Sequence, residues 1–198
     1  MSRTNPGRND RRARERGANR ASILQAARRV AAREGARNLS LRGVAAEAGY
    51  APAALYGYFA GKDDLLLALA AEDLAQLSRA MRDAVAAGNG MGKLAAASSA
   101  ALALLRDNET MAAAQGALPA TAGTGEAERL FNGRLIAVLK VLSDAAGRPP
   151  NSRDSQCDVV LVAAALTGLA MLSRSGRLAA LGFAPEEILG RLDGLFSA

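Results

Sequence analysis

Histidine and tryptophan are absent from this 198-residue chain, and cysteine occurs once, as Cys157. Without histidine the commonest general base is missing, which argues against hydrolytic or acid–base catalysis. One thiol and no imidazole leave little from which to build a zinc or transition-metal centre, so no metal or other cofactor is expected. A lone cysteine excludes an internal disulfide framework and fits a reducing cytoplasm. The amino-terminal residues are charged and polar, with none of the apolar stretch that a secretory signal needs. Long apolar runs are also lacking. The run VVLVAAALTGLAML, Val159 to Leu172, is flanked by Asp158 and Arg174. It falls short of the roughly 20 residues of a membrane span, and a helix buried in protein is expected there rather than a membrane contact.

What the chain has in quantity is alanine, leucine and arginine. Half of it is apolar, enough for a real core, and the shortage of β-branched residues and the six prolines favour an all-α fold. The net charge of +6 is unevenly spread. Residues 1–62 hold 13 Lys/Arg against 4 Asp/Glu, and the remainder holds 12 against 15. A basic head on a mildly acidic body points to a polyanionic partner. Charge alone equally allows a merely solvated arginine tail.

Residues 1–19 show no apolar periodicity and are expected to form a disordered basic arm. From Arg20, the residues Ile23, Ala27, Val30 and Ala31 share one helix face, and Gly35 ends that helix. Ser40 suits the N-cap of a second helix, with Leu41, Val44, Ala45 and Ala48 inward and Gly49 as its stop. Pro52 opens a short third helix ending near Phe59. A fourth starts after Gly61, with Asp63 and Asp64 favoured by the helix dipole, and runs to about Ala87. Further helices are expected at about 92–106, 108–117, 125–146, 153–174 and 185–196.

Four of the seven aromatic residues crowd into AGYAPAALYGYFAGK, residues 48–62. This segment joins helices two and three by a glycine able to adopt positive φ, between the small Ala45 and the apolar Leu55. That is what a helix-turn-helix requires. Tyr50 and Leu55 stand as a hydrophobic staple, and Leu55 and Phe59 face the core at i, i+4. Tyr56 and Tyr58 then fall off that face, with hydroxyls expected to be free for a phosphate or base edge. Lys62 at the first position of helix four is poorly placed against the dipole, unless a phosphate shares the exposed amides there.

Residues 20–66, RASILQAARRVAAREGARNLSLRGVAAEAGYAPAALYGYFAGKDDLL, resemble the DNA-binding domain of the TetR family of bacterial transcription regulators. The resemblance implies double-stranded DNA as partner, read as a pseudo-palindromic operator. It also implies a helical effector-binding and dimerisation domain over residues 67–198. Ser40 and Arg42 match positions that touch phosphates or base edges. Pro52, Ala53, Ala54, Gly57 and Tyr58 match the groove-facing surface, and Tyr56 and Lys62 match phosphate contacts. Ala51 departs from the serine or threonine often found there. Ala53, Ala54 and Gly57 carry no side-chain donors, so bidentate base reading is impossible at those positions. Arg42, the tyrosines, DNA shape and the arginines of the arm are left to discriminate.

In the body, the helix over 153–174 is apolar nearly all round, and the last helix offers a second stripe. Both suit a homodimer through Val160, Ala164, Leu172, Leu192 and Leu195, with packing inside one chain as the alternative. Small inner residues between 92 and 146 either pack helices closely or leave room for a largely apolar effector. Arg106, Gln115 and Cys157 are the candidates to orient it, with Ser98 and Thr121 beside them. The expected function is thus a cytoplasmic, dimeric regulator, in family habit a repressor released by a small molecule. A DNA-binding dimer without an effector is the alternative, and an enzyme is not expected.

Overall fold

The computed structural model describes residues 6–88, 90–115, 125–147, 149 and 151–196. Every regular element among them is helical. The amino-terminal part consists of α1 (Pro6–Glu34), a 3-10 turn (Ala36–Asn38), α2 (Leu41–Ala48) and α3 (Pro52–Leu55). The rest holds α4 (Lys62–Ala87), α5 (Lys93–Arg106), α6 (Glu109–Gln115), α7 (Glu126–Ala146), α8 (Arg153–Arg174), α9 (Arg177–Ala180) and α10 (Pro185–Phe196).

The apolar stripes read from the sequence are the ones that face inward. Ile23, Ala27, Val30 and Ala31 of α1 and Leu41, Val44 and Ala45 of α2 are buried, as are Leu55 and Phe59. They belong to one continuous cluster that extends through Leu65, Leu69 and Leu74 of α4 into the body. Helix α4 therefore connects the two parts. Its first turns sit under the head, and its length packs against α7 and α5.

Two boundaries differ from expectation. Helix α1 begins at Pro6, not at Arg20, so the described part of the basic arm is a helical extension. Periodicity overlooks it because residues 9–18 are exposed and present no apolar face. Helix α3 stops at Leu55, and residues 56–58 continue as a tighter turn. There Gly57 and Tyr58 donate backbone bonds three residues back, to Ala54 and Leu55. By length and composition α8 could cross a membrane. Its Val159, Val162, Leu166 and Leu169 are nevertheless buried in the protein core.

Candidate nucleic-acid interface

The turn between α2 and α3 is built on Gly49, at φ 73°. A side chain is strained at that φ, and glycine is not. The Tyr50 amide closes the helix end by donating to the Ala45 carbonyl at 2.9 Å. Ser40 caps α2, its Oγ accepting from the Gly43 amide at 3.1 Å. Ala51 precedes α3 with no side-chain cap, and Pro52 takes the first helical position. Tyr50 packs against the core cluster beside buried Leu55, consistent with the staple.

With Leu55 and Phe59 held inside, the other face of this element is turned to solvent. Pro52, Ala53, Ala54 and Gly57 are exposed, and Tyr56 stands 65% exposed at their edge. Ser40 and Arg42 are exposed at the start of α2. The structure thus brings seven of the nine expected DNA-contacting residues to exposed positions around α2 and α3. A smooth strip of methyls and a proline ring, flanked by an arginine and a phenol, is thin enough to enter a major groove.

The remaining two expected residues are placed differently. Tyr58 is half-buried, and its hydroxyl oxygen accepts a bond from Asn19 Nδ2 at 3.2 Å, so it does not stand free. Lys62 does lie at the first position of α4 with Gly61 as N-cap. Its Nζ donates to the Arg37 carbonyl, which commits one of its three donors to the protein. Asp64 completes this helix start, its Oδ2 accepting from the Ala60 amide at 3.0 Å.

Charge pairs fix the head from behind. Arg29 Nε and Arg33 Nη1 both donate to the Glu47 carboxylate, at 2.7 and 3.2 Å, tying α1 to α2. These bonds hold the Glu47 carboxyl below the ordinary carboxylate range. Arg28 leaves α1 on another side, pairing with Asp73 and donating to Glu72 Oε2 at 3.3 Å. Burial lowers the pKa of the Arg28 guanidinium, but the two carboxylates more than offset this and raise it above its usual value. Asp73 is buried, its Oδ2 has no hydrogen-bond partner among the described residues, and Arg28 is the cation paired with it.

Arg16, Asn19 and Arg20 also lie against the recognition turn, as neighbours that no sequence pattern points to. Their spacing on one helix face was visible, but the partner lies about forty positions away in sequence, and no local pattern reveals that.

The other expected sites are scattered. Arg106 and Cys157 are exposed, and neither lines the cavity that opens between α5, α6 and α8. That cavity of about 300 Å³ is walled by Leu105, Met111 and Met171, with Asn108, Thr167 and Arg174 as its polar edge. The side chain of Gln115 and all of Thr121 lie outside the described residues. Ser98 is buried, with its Oγ unpartnered among the described residues. On the expected dimer face, Val160, Ala164 and Leu195 are exposed and Leu172 is half-buried. Leu192 is a correction. It is 7% exposed and belongs to the chain's own core, where α10 packs on α5 and α8.

An all-helical chain with a helix-turn-helix head and a larger helical body defines a class of DNA-binding regulators. Residues 23–69 match the family model of the bacterial regulatory proteins, tetR family, so the amino-terminal part of the chain is similar to the DNA-binding domain of that family. Solved structures share the fold over nearly the full length. A TetR transcriptional regulator from Rhodococcus sp. RHA1 is 21% identical, with a TM-score of 0.67 over 92% of this chain and 97% of that one. A protein of unknown function from the same organism is 24% identical, with a TM-score of 0.67 over 90% and 93%. The regulator FadR from Bacillus subtilis, solved in complex with stearoyl-CoA, is 19% identical, with a TM-score of 0.60 over 90% and 97%. No curated protein matches the sequence.

Proposed function

We propose that this chain is a homodimeric repressor that holds a pseudo-palindromic operator until a small molecule releases it. The observation that carries the DNA half is the exposed, donor-poor surface of α3, with Arg42 on one side and Tyr56 on the other. The excess of cations in residues 1–62 supports it, because counterion release from phosphates drives such binding. In this reading Ser40, Arg42, Tyr56 and the free donors of Lys62 meet phosphates or base edges, while Pro52, Ala53, Ala54 and Gly57 press into the groove.

Two short recognition elements need a fixed separation to read successive major grooves. A copy of the chain docked on the exposed apolar faces of α8 and α10, through Val160 and Ala164 of α8 and Leu195 of α10, would supply it. Helix α4 leaves the recognition turn at Lys62 and runs into the body, so a shift of α4 on effector binding would misalign the two heads. The cavity bounded by Leu105, Met111 and Met171 is the place offered for an effector. It lies at the lower end of the size range of small-molecule sites. Arg174 and Asn108 at its edge favour a guest with an anionic or hydrogen-bonding end.

The test begins with full-length protein and a duplex selected by it from a random pool, followed by fluorescence anisotropy. Arg42→Ala and Tyr56→Phe should each weaken binding by about tenfold. Unchanged affinity in both variants would defeat the assignment of this surface. Thermal shift against amphipathic acids, with stearoyl-CoA included because a fold relative is bound to it, separates the two regulatory readings. Silence across the panel, with DNA binding intact, would favour a dimer that needs no effector.

A further inference from the structure

The recognition element is weak by its own chemistry. Helix α3 has four residues, far fewer than an isolated helix needs for stability. Ala51 gives it no capping side chain, and the turn beyond it includes Gly57, the costliest ordinary residue to order. Something outside the element must therefore hold it.

The extension of α1 does so. Arg16, Asn19 and Arg20 stand at i, i+3 and i+4 and share one face of the helix. Arg16 Nη2 donates to the Gly57 carbonyl at 2.6 Å, and its guanidinium carbon lies 5.1 Å from the centre of the Tyr58 ring. Asn19 Nδ2 reaches the Tyr58 hydroxyl. The Arg20 guanidinium lies 5.2 Å from the centre of the Phe59 ring. Gly57, Tyr58 and Phe59 are thus each gripped from the same helix face, by a charge-assisted bond, an amide and two cation–π contacts.

We propose that the amino-terminal extension of α1 is a template that fixes the recognition turn, with Arg16, Asn19 and Arg20 as positioning residues for DNA reading. This rests on the proposed DNA-binding function. It separates the arginines of the extension by role. Arg16 uses its charge on the protein. Arg11 pairs with Glu15 at 3.6 Å, and Arg14 Nε donates to the Asp10 carbonyl at 3.3 Å. Arg12 is exposed without a partner among the described residues, and of the described arginines of the extension it is the one left to meet phosphate.

The experiment compares Arg16→Ala with Arg12→Ala in the full chain, first without DNA. Amide exchange at Gly57 and Tyr58 should quicken about tenfold in Arg16→Ala and not in Arg12→Ala. Unchanged exchange in Arg16→Ala would overturn the template whatever the fate of the DNA reading. With a duplex selected from a random pool and a scrambled duplex of equal composition, Arg16→Ala should lose about tenfold in affinity for the selected sequence alone. Its slope of log K against log salt should stay as in the parent. Arg12→Ala should weaken both duplexes alike and flatten the slope by about 0.9. Equal loss on both duplexes with a flattened slope in Arg16→Ala would make it a phosphate contact and sink the proposal. Should Arg16→Ala disturb the fold, Asn19→Ala gives the second test: it should reduce discrimination in the parent and do nothing further in Tyr58→Phe. Additive losses there would overturn the template. Failure of the parent chain to select any duplex would instead defeat the DNA-binding reading itself.

Discussion

The head and the body of this molecule treat their apolar residues in opposite ways. In residues 9–61, Tyr56 is the one large apolar side chain left exposed among the described residues, and it stands on the surface proposed to meet DNA. The body leaves Ile136, Val160, Leu161, Met171, Leu181, Phe183 and Leu195 more than half exposed. Scattered single residues of this kind are ordinary, but Val160, Leu161 and Met171 share α8, and Ile136 meets Val160 across a shallow groove. The head is complete as one copy and turns polar groups outward. The body leaves an apolar face that, in the proposed dimer, a second copy would cover.

The most forceful way to break that comparison is to charge the face of α8. In a twofold dimer one patch meets itself, so Val160→Glu together with Leu161→Glu would set like charges against each other. Light scattering should then report a monomer. Affinity for a selected duplex should fall by about a hundredfold, as expected when central anchors of an interface are lost. Both side chains are exposed in one chain, so the variant should still fold, with a thermal midpoint that no longer depends on protein concentration. A variant that stays dimeric would place the second copy elsewhere and leave the body's exposed residues unexplained.

A smaller effect is expected where head and body join. Arg28 of α1 answers the buried Asp73 of α4, and Arg28→Ala would leave that carboxylate without its counter-charge. The expected loss is about 3 kcal/mol in urea unfolding. A loss near zero would mean that water reaches Asp73, and that the junction is looser than either part.

Much of this arrangement was legible beforehand, and what was not has a common cause. The helices over 153–174 and 185–196 have the expected bounds, because residue period and punctuation by Pro and Gly are local signals. Gly49 and Gly61 take the roles their positions imply for the same reason. The extension of α1 was invisible because it has no apolar face and docks through polar groups onto a turn far along the chain. Leu192 was misplaced because a stripe on α10 announces burial without saying in what, and the chain's own core takes it. Lys62 shows the same limit in polar form: its position was readable, but its bond to the Arg37 carbonyl was not.

The smallest expected effect sharpens the comparison on the side of the head, whose packing of α1 on α2 includes the bridge from Arg29 and Arg33 to Glu47. The folded pKa of Glu47 is lowered, first by the Arg29 bond and then by that of Arg33. A depressed carboxylate stabilises the fold fully above its unfolded value, about 4.3. That contribution disappears as pH falls through the folded value. Glu47→Gln should therefore be less stable than the parent at pH 7, and the two should converge as the parent is acidified below the ordinary carboxylate range. Both arginines are more than half exposed, so added salt should narrow the difference at neutral pH. A difference that survived both acid and salt would show that Glu47 holds α2 by packing, and the head would then resemble the body more than its charges indicate.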